Sequence, residues 1–486
     1  MNNKIRLEGG KAVPAENVRT GGQEARLRLL EDRALAGEKN SISSARISDL
    51  EYMARSGARF DAVEVDGIVR AEKETFMDTY GVDRLPYIVA GASGKHVYLV
   101  PIEGEKKGEV LKVYDAFNFY AVGSAVGHAN EEIIETALER MQKGALASAN
   151  LYAEPRAALC SYLFDEEWGL FTKLLPNYRI YMLNSGSESN DAALKLAVEY
   201  QAGRGKAEEK DTIIAMHNGY YGRTGYAINM SDIDFAIGGF PKIDKEIVFV
   251  KFGDSKELGR VFKEREGRIL AVCFEPIQAE AGIIPAPSGF LKKMRELCDK
   301  EDAVMITDEV QTFARTGNWF ASIALGATPD IIVTGKIISG ATLPVTIIYA
   351  REDIKFGPNR HSNTYTGNPL GCEIAMKTLE IIERDGLLEN SEKVGKYLLK
   401  KLRERLGSLP QVKAVRGRGC LIGIELADSV KEKGFEYAQK AVEEGLLISV
   451  VGGIGGANDV LRLLPSLAIT KKEADFVVEA LARTLG

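Results

Sequence analysis

"RIYMLNSGSESNDAALKLA", from Arg179 to Ala197, is the stretch on which the fold turns. A short apolar strand, "RIYML", runs into a tract of Ser, Gly, Glu and Asn, and that tract turns directly into an amphipathic helix. The first N–H groups of a helix have no internal partner, and the helix dipole is positive there. Small residues at such a point let an anion come close, and a phosphate is well suited to it. A serine N-cap accounts for the same residues. The remainder of the chain has to decide between the two.

The strand-to-helix texture recurs on both sides. "TIIAM" (212–216), "IVFV" (247–250), "LAVCFEPI" (270–277), "AVMITDE" (303–309), "DIIVTG" (330–335) and "VTIIYA" (345–350) are β-branched, mostly continuous apolar runs. Such runs suit strands buried on both faces of a largely parallel sheet. Helical stretches such as "SGFLKKMRELCDK" (288–300) separate several of them. With "RIYML" they predict a doubly wound α/β domain with a seven-stranded, mostly parallel sheet. After about residue 370 the pattern changes. "CEIAMKTLEIIERDG" predicts a helix ended by Gly386, "VRGRGCLIGIEL" (415–425) a turn and a strand, and Thr470 with Glu473 a capping box. These make a smaller α+β domain, joined by strand-like pieces from residues 85–128, so that both chain ends build it. The division expected is 1–84 as an extension without a readable motif, 85–143 as lead-in and first part of the small domain, 144–372 as the large domain and 373–486 as the rest of the small one.

Composition narrows the function. The 486 residues carry 27% charged and 45% hydrophobic side chains, as in ordinary globular proteins, and suggest at least two domains. A net charge of −6 gives no electrostatic reason to expect nucleic acid or an anionic membrane. No apolar run reaches the roughly 18 residues of a membrane span, and "MNNKIRLEGGKAVPAENVRTG" lacks the apolar core of a signal peptide. A cytoplasmic location is expected. Five scattered cysteines without a CxxC pair and four histidines make a metal site an unpromising reading; none is predicted.

Two further stretches carry chemistry. In "ITDEVQTFARTG" (306–317), Asp308 and Glu309 close a buried strand, and carboxylates are seldom buried without a partner. At the carboxyl end of a parallel strand such a group can meet a ligand cation; a structural ion pair explains it equally. In "DIIVTGKIISG", Lys336 follows an apolar strand. A lysine in an apolar pocket loses proton affinity and attacks carbonyls, although a lysine that snorkels from a strand end looks the same. A phosphate site, an acceptor for a ring cation and an amine for an aldehyde together describe pyridoxal 5′-phosphate.

On these residues the chain resembles the class III, pyridoxal-phosphate-dependent aminotransferases of fold type I, the family of ornithine, acetylornithine and 4-aminobutyrate aminotransferases. The resemblance covers about residues 85–486 and keeps the family's order: "SGSESNDAALKLA", "GYYGRT" (219–224), "FEPIQAEAG" (274–282), "DEVQT", "TGK", "HSNTYTGNPLGC" (361–372) and "VRGRG". It implies that Lys336 forms the internal aldimine, a Schiff base, and later shuttles a proton, while Asp308 keeps the pyridinium nitrogen protonated. Gly186 and Ser187 would bind the phosphate through backbone N–H. Tyr220 would stack on the ring, Gln311 would lie near its phenolic oxygen, and Glu275 belongs to the same cofactor-binding set. Thr364 would reach the phosphate of a second subunit, which implies a homodimer, or a tetramer built from it, with the site at the interface. Arg223 and, less directly, Tyr120 would line the substrate pocket. Glu280 and Arg416 resemble a gate, in which the carboxylate masks the guanidinium until a 2-oxo acid arrives; a fixed surface salt bridge would use the same residues.

The implied activity is a ping-pong amino transfer from an ornithine-like or 4-aminobutyrate-like donor to 2-oxoglutarate or pyruvate. An amino-acid racemase or epimerase would share the cofactor residues, and a non-catalytic descendant would have no use for Lys336. The chain departs from the family at Ala279 and Phe313, where Gly is usual, at Thr366, and by an added residue after Lys336 and within "FNFYAVGSAVGH". Several of these fall near the expected substrate mouth.

Overall fold

All seven β-branched runs enter one sheet. Its strands are β1 (Tyr178–Leu183), β2 (Thr212–Met216), β3 (Glu246–Val250), β4 (Ile269–Phe274), β5 (Val304–Asp308), β6 (Ile331–Thr334) and β7 (Thr346–Arg351), in the spatial order β1-β7-β6-β5-β4-β2-β3. Pairing is parallel from β6 through β5, β4 and β2 to β3, and only β7 runs against its neighbours, β6 and β1. The structure, a computed structural model, describes residues 41–77, 84–118, 125–144, 149–232, 242–452 and 459–486.

The runs are continuous because each face of the sheet has its own core. Ile213, Ala215, Cys273, Ile306 and Val333 pack with Ala193, Leu196 and Ala197 of helix α1 (Gly186–Gly203). Their strand neighbours Ile214, Met216, Val272, Phe274 and Met305 pack with Phe290, Leu291 and Met294 on the other side. Successive strand side chains point to opposite faces, so a strand covered on both has no polar alternation to show. Burying each large aliphatic side chain stabilises the layer by about 1.5–3 kcal/mol.

The C-terminal part holds helices α2 (Pro369–Arg384) and α3 (Leu387–Leu406), an antiparallel sheet and the last helix, α4 (Lys471–Leu485). The sheet consists of β8 (Val412–Arg418), β9 (Leu421–Leu426), β10 (Ser449–Val451) and β11 (Val460–Leu463), ordered β8-β9-β11-β10. Gly386, at φ 61°, makes the turn between α2 and α3 that a side chain would resist. The predicted capping box opens α4: Glu473 N donates to Thr470 Oγ1, and Glu473 Oε2 accepts from Thr470 N at 2.7 Å. Leu446 and Leu447 pair in parallel with Tyr114 and Asp115, which brings an early segment of the chain into this smaller α+β part.

Chain contacts divide the protein into two compact units, Met1–Gly91 with Tyr98–Leu111 and Ala92–Val97 with Lys112–Gly486. In the first, helices Ile47–Ser56 and Ala62–Thr75 bury Leu50, Met53 and Val65 against Phe60, Tyr98 and Val110. Tyr98 Oη donates to Glu51 at 3.0 Å, and burial, helped by that carboxylate, pushes the phenol up to about 12. Among the described residues no helix is long and apolar enough to cross a membrane.

Candidate active site

The site is built at the carboxyl ends of β1, β5 and β6, within the second unit. Asp308 closes β5 and pairs with Val333 of β6, and Lys336 follows β6 by two residues. The two groups therefore emerge side by side where parallel sheets bind ligands. Helix α1 begins at the same edge, directly after β1, and ties itself to β5: Asn190 Nδ2 donates to Asp308 Oδ2 at 2.6 Å.

Lys336 has φ 48°, a left-handed conformation that costs a side-chain-bearing residue energy and is enriched at functional sites. Gly335 before it is required to be small, since a Cβ there would lie 2.9 Å from Thr346 Cγ2. Burial disfavours the ammonium form, Glu280 works against that, and the outcome is a lysine lowered to about 8. For Asp308 burial also dominates and raises the carboxyl, against the donors Asn190 and Val310 N (2.8 Å) and the charge of Lys336. An ionised Asp308 thus calls for a further cation.

Its neighbour Glu309 serves the opposite face of the strand. Fully buried, it accepts from Ser322 N and Ser322 Oγ, both at 2.7 Å, from Ala321 N at 2.9 Å and from Thr312 Oγ1 at 2.5 Å. Sequence alone placed both carboxylates at a buried strand end; the period of two sends one to the site and the other into structure. Phe313, where a glycine was expected, also turns to the core: it is buried against Phe171, Trp319 and Phe320, with ring centroids 5.4–6.3 Å apart. It is not at the substrate mouth.

Glu275 is buried, raised well above the usual carboxylate range by burial and then by the charge of Asp308. It accepts from Tyr220 N and Ala279 N, both at 3.1 Å, and so fixes the backbone that carries Tyr220. The N-cap of α1 is Ser185, whose Oγ accepts from Glu188 N. The next two N–H groups, of Gly186 and Ser187, have no partner among the described residues. Gly222 presses on this turn: a Cβ on it would meet Ser187 Oγ and lie 2.6 Å from Ser187 Cβ. Both the serine cap and the open anion cradle are present, one residue apart.

One pairing differs from the sequence reading. Glu280 does not meet Arg416. Its Oε1 accepts from Arg462 Nη1 at 2.7 Å and from Gln311 Nε2 at 2.6 Å. Burial would raise Glu280, but Arg462, Lys336 and Gln311 outweigh it and hold the carboxyl at about 2. Arg462 is wholly buried on β11, its Nε donating to Ser449 Oγ at 3.0 Å, and a charge so placed requires an anion. Arg416 is opposite Gly423 in the β8–β9 ladder, so its guanidinium meets no side chain there and reaches the diagonal Glu425. Its Nε donates to Gly282 O at 2.8 Å and Ile283 O at 3.2 Å.

The remaining expected residues are dispersed. Arg223 is exposed; its backbone N donates to Ser187 Oγ at 3.3 Å, and its guanidinium has no partner among the described residues. Thr364 is exposed on the loop before α2. Tyr120 lies outside the described residues. Asn190, Arg462 and Glu425 were not foreseen. An arginine inside the apolar run "VLRLLP" was the available signal for Arg462, because such a charge must find a partner.

Comparison with known proteins gives the family and the fold. The model of the family described as Aminotransferase class-III matches residues 82–485. An ornithine aminotransferase of Oceanobacillus iheyensis is 32% identical over 419 residues, 85% of this chain and 97% of that protein. An acetylornithine aminotransferase of Methanosarcina acetivorans is 33% identical over 423 residues, 86% of this chain and 95% of that one. The crystal structure of a Bacillus anthracis aminotransferase superposes with a TM-score of 0.76 at 27% identity, covering 88% of this chain and 99% of its own.

Proposed function

The chain belongs to the class III aminotransferases, with pyridoxal 5′-phosphate as cofactor, and from that premise we propose that it moves the distal amino group of an ornithine-like or other ω-amino donor to 2-oxoglutarate or a similar 2-oxo acid, in two half-reactions. The residues present fit the cofactor. The N–H groups of Gly186 and Ser187, without a partner among the described residues, suit the phosphate, the buried Asp308 carboxylate suits a protonated ring nitrogen, and Lys336, lowered to about 8, suits the aldehyde. The observation that carries the reading is this last pair, a low-affinity amine and a cation-seeking carboxylate at adjacent parallel strand ends.

When bound, the cofactor supplies an aldehyde that captures the amine and a pyridinium that accepts the electrons released at the amine-bearing carbon. Lys336 Nζ, neutral for part of the time near pH 7, takes the proton from that carbon and returns it later. Asp308 Oδ2, held by Asn190, keeps the ring nitrogen charged. Glu275 holds the Tyr220 backbone, so that the Tyr220 ring can cover the cofactor, and Gln311 braces Glu280 at the mouth. Arg223 and Arg416 take substrate carboxylates, for which the guanidinium fork is suited.

A homodimer is part of the proposal, in the cytoplasm. Ile134, Leu138 and Met141 form an exposed apolar stripe on helix Glu131–Gln142, and Leu151 and Tyr152 are exposed nearby in sequence. Thr364 is exposed as a residue serving a neighbouring subunit would be. The test is to mix holoenzyme with ornithine or 4-aminobutyrate and no acceptor. The cofactor's visible band should fall as a semialdehyde forms, and 2-oxoglutarate should restore it with release of glutamate. Scrambling of a single enantiomer with no oxo product would mean a racemase.

A further inference from the structure

The loop before α2 carries Thr364, and its backbone is folded into two interlocked turns. Thr366 N donates to Asn363 O at 3.3 Å, and Asn368 N donates to Tyr365 O at 3.2 Å. Side chains tighten both turns. Asn363 Oδ1 accepts from Tyr365 N at 3.0 Å. Asn368 Nδ2 donates to Tyr365 O at 3.1 Å, while its Oδ1 caps α2 by accepting from Gly371 N at 2.7 Å. A shift at Gly367 is therefore passed on to Thr364. Two side chains from elsewhere hold this loop. Tyr181 Oη, on β1, accepts from Thr366 Oγ1 at a long 3.4 Å. Arg156 Nε donates to Gly367 O at 3.2 Å, and Arg156 Nη2 donates to Leu151 O at 3.1 Å. Gly367, at φ 57°, makes room for this grip: a Cβ there would lie 3.0 Å from both Cδ and Nε of Arg156.

Arg156 does nothing for its own helix. It lies in the first turn of Glu154–Phe164, where the helix dipole disfavours a cation, and the N-cap there is Ala153, without a side-chain cap. Among the described residues no carboxylate meets its guanidinium, which gives its donors to two carbonyls. Those carbonyls belong to the two segments proposed above to face a second subunit: Leu151, exposed beside the exposed Tyr152, and the loop of the exposed Thr364. We propose that Arg156 is a positioning residue for the cofactor of the neighbouring subunit. It fixes Gly367 against Leu151, so that Thr364 stays in place to meet the phosphate across the interface. The inference rests on the reading of Thr364 as a residue that serves the second subunit. A guanidinium suits the task because its planar fork sends donors in fixed directions, which a lysine ammonium does not. A loss at Arg156 should then be felt in the other subunit's site and not in its own.

The test follows cofactor release from holoenzyme into an excess of a trap for pyridoxal 5′-phosphate, read as the cofactor that borohydride can still fix on Lys336. Thr364→Ala should speed release; if it does not, the reading on which the inference rests fails, and the inference with it. Given that response, Arg156→Met, which keeps the apolar stem and removes the donors, should speed release by roughly tenfold, on the scale of one hydrogen bond to a charged group. Added to Thr364→Ala, Arg156→Met should change release little, because both act through one contact. Hybrid dimers, purified through two different tags, locate the effect. With Lys336→Ala and Arg156→Met in the same protomer, the intact Lys336 depends on the altered loop, and release should be fast. With the two substitutions in opposite protomers, the intact Lys336 shares a chain with Arg156→Met but is served by an unaltered loop, and release should match the unsubstituted enzyme. Unaltered release in Arg156→Met despite a response to Thr364→Ala would overturn the proposal. So would full additivity of the two, or a defect confined to the site of the protomer that carries Arg156→Met.

Discussion

The ionisation of Lys336 offers a direct quantitative test of the site. An ordinary lysine, at 10.5, is neutral in roughly one molecule in three thousand at pH 7; one lowered to about 8 is neutral in roughly one in ten. The buried position therefore multiplies the reactive amine by roughly 300-fold. Apoenzyme mixed rapidly with pyridoxal 5′-phosphate should capture it at a rate that rises with pH to a midpoint near 8, read by the visible band and compared with butylamine as a free-amine reference. Borohydride should then fix the cofactor on Lys336, as located by mass spectrometry. Glu280 is the next largest influence after burial and favours the ammonium. Glu280→Gln removes that support and leaves the Arg462 charge in place, so the midpoint should fall below 8. The sign for stability follows. Between about 8 and 10.5 the unfolded chain binds the proton that the folded chain has lost, so the folded state gains as pH rises through that window and loses as pH falls back through it. A midpoint near 10.5, a flat profile or an upward shift in Glu280→Gln would refute the assignment.

Asp308→Asn should keep the fold, since it removes a buried charge, yet slow the first half-reaction by about 10²–10³-fold, as loss of a preorganised electrostatic partner does; single-turnover absorbance would measure it. Gly222→Ala introduces a Cβ against Ser187 at a φ of 122° and should weaken cofactor binding by about tenfold or more, read as the phosphate-dependent Kd of the apoenzyme. Glu309→Ala leaves two N–H groups and two hydroxyls without their acceptor. It should cost about 3 kcal/mol and shorten the thermal-inactivation half-life, while the surviving enzyme keeps its KM.

What the sequence made legible and what it left dark separate along a physical line. The seven strands could be read because burial on both faces removes polar residues from consecutive positions, as in "TIIAM" and "DIIVTG". Lys336 and Asp308 could be read because a charge that closes an apolar strand is costly without a use, and strand ends in a parallel sheet share one edge. Partner choice follows a different rule. Glu280, Glu425, Arg416 and Arg462 are four charges in three separate segments, and any pairing among them satisfies the same demand for neutrality. What selects one is ladder register: Arg416 opposite the side-chain-less Gly423 reaches diagonally to Glu425, while Ser449, opposite Arg462, accepts from its Nε and Nη1 reaches Glu280. A slip of one residue in β8 against β9 would turn Arg416 to the other face of the sheet and also take Lys413, on the same strand, from its place beside Glu425. Register depends on the packing of whole strands, so it cannot be inferred from these four residues alone. A motif can therefore single out charged residues and still pair them wrongly, because the partner is chosen by the ladder and not by the residue.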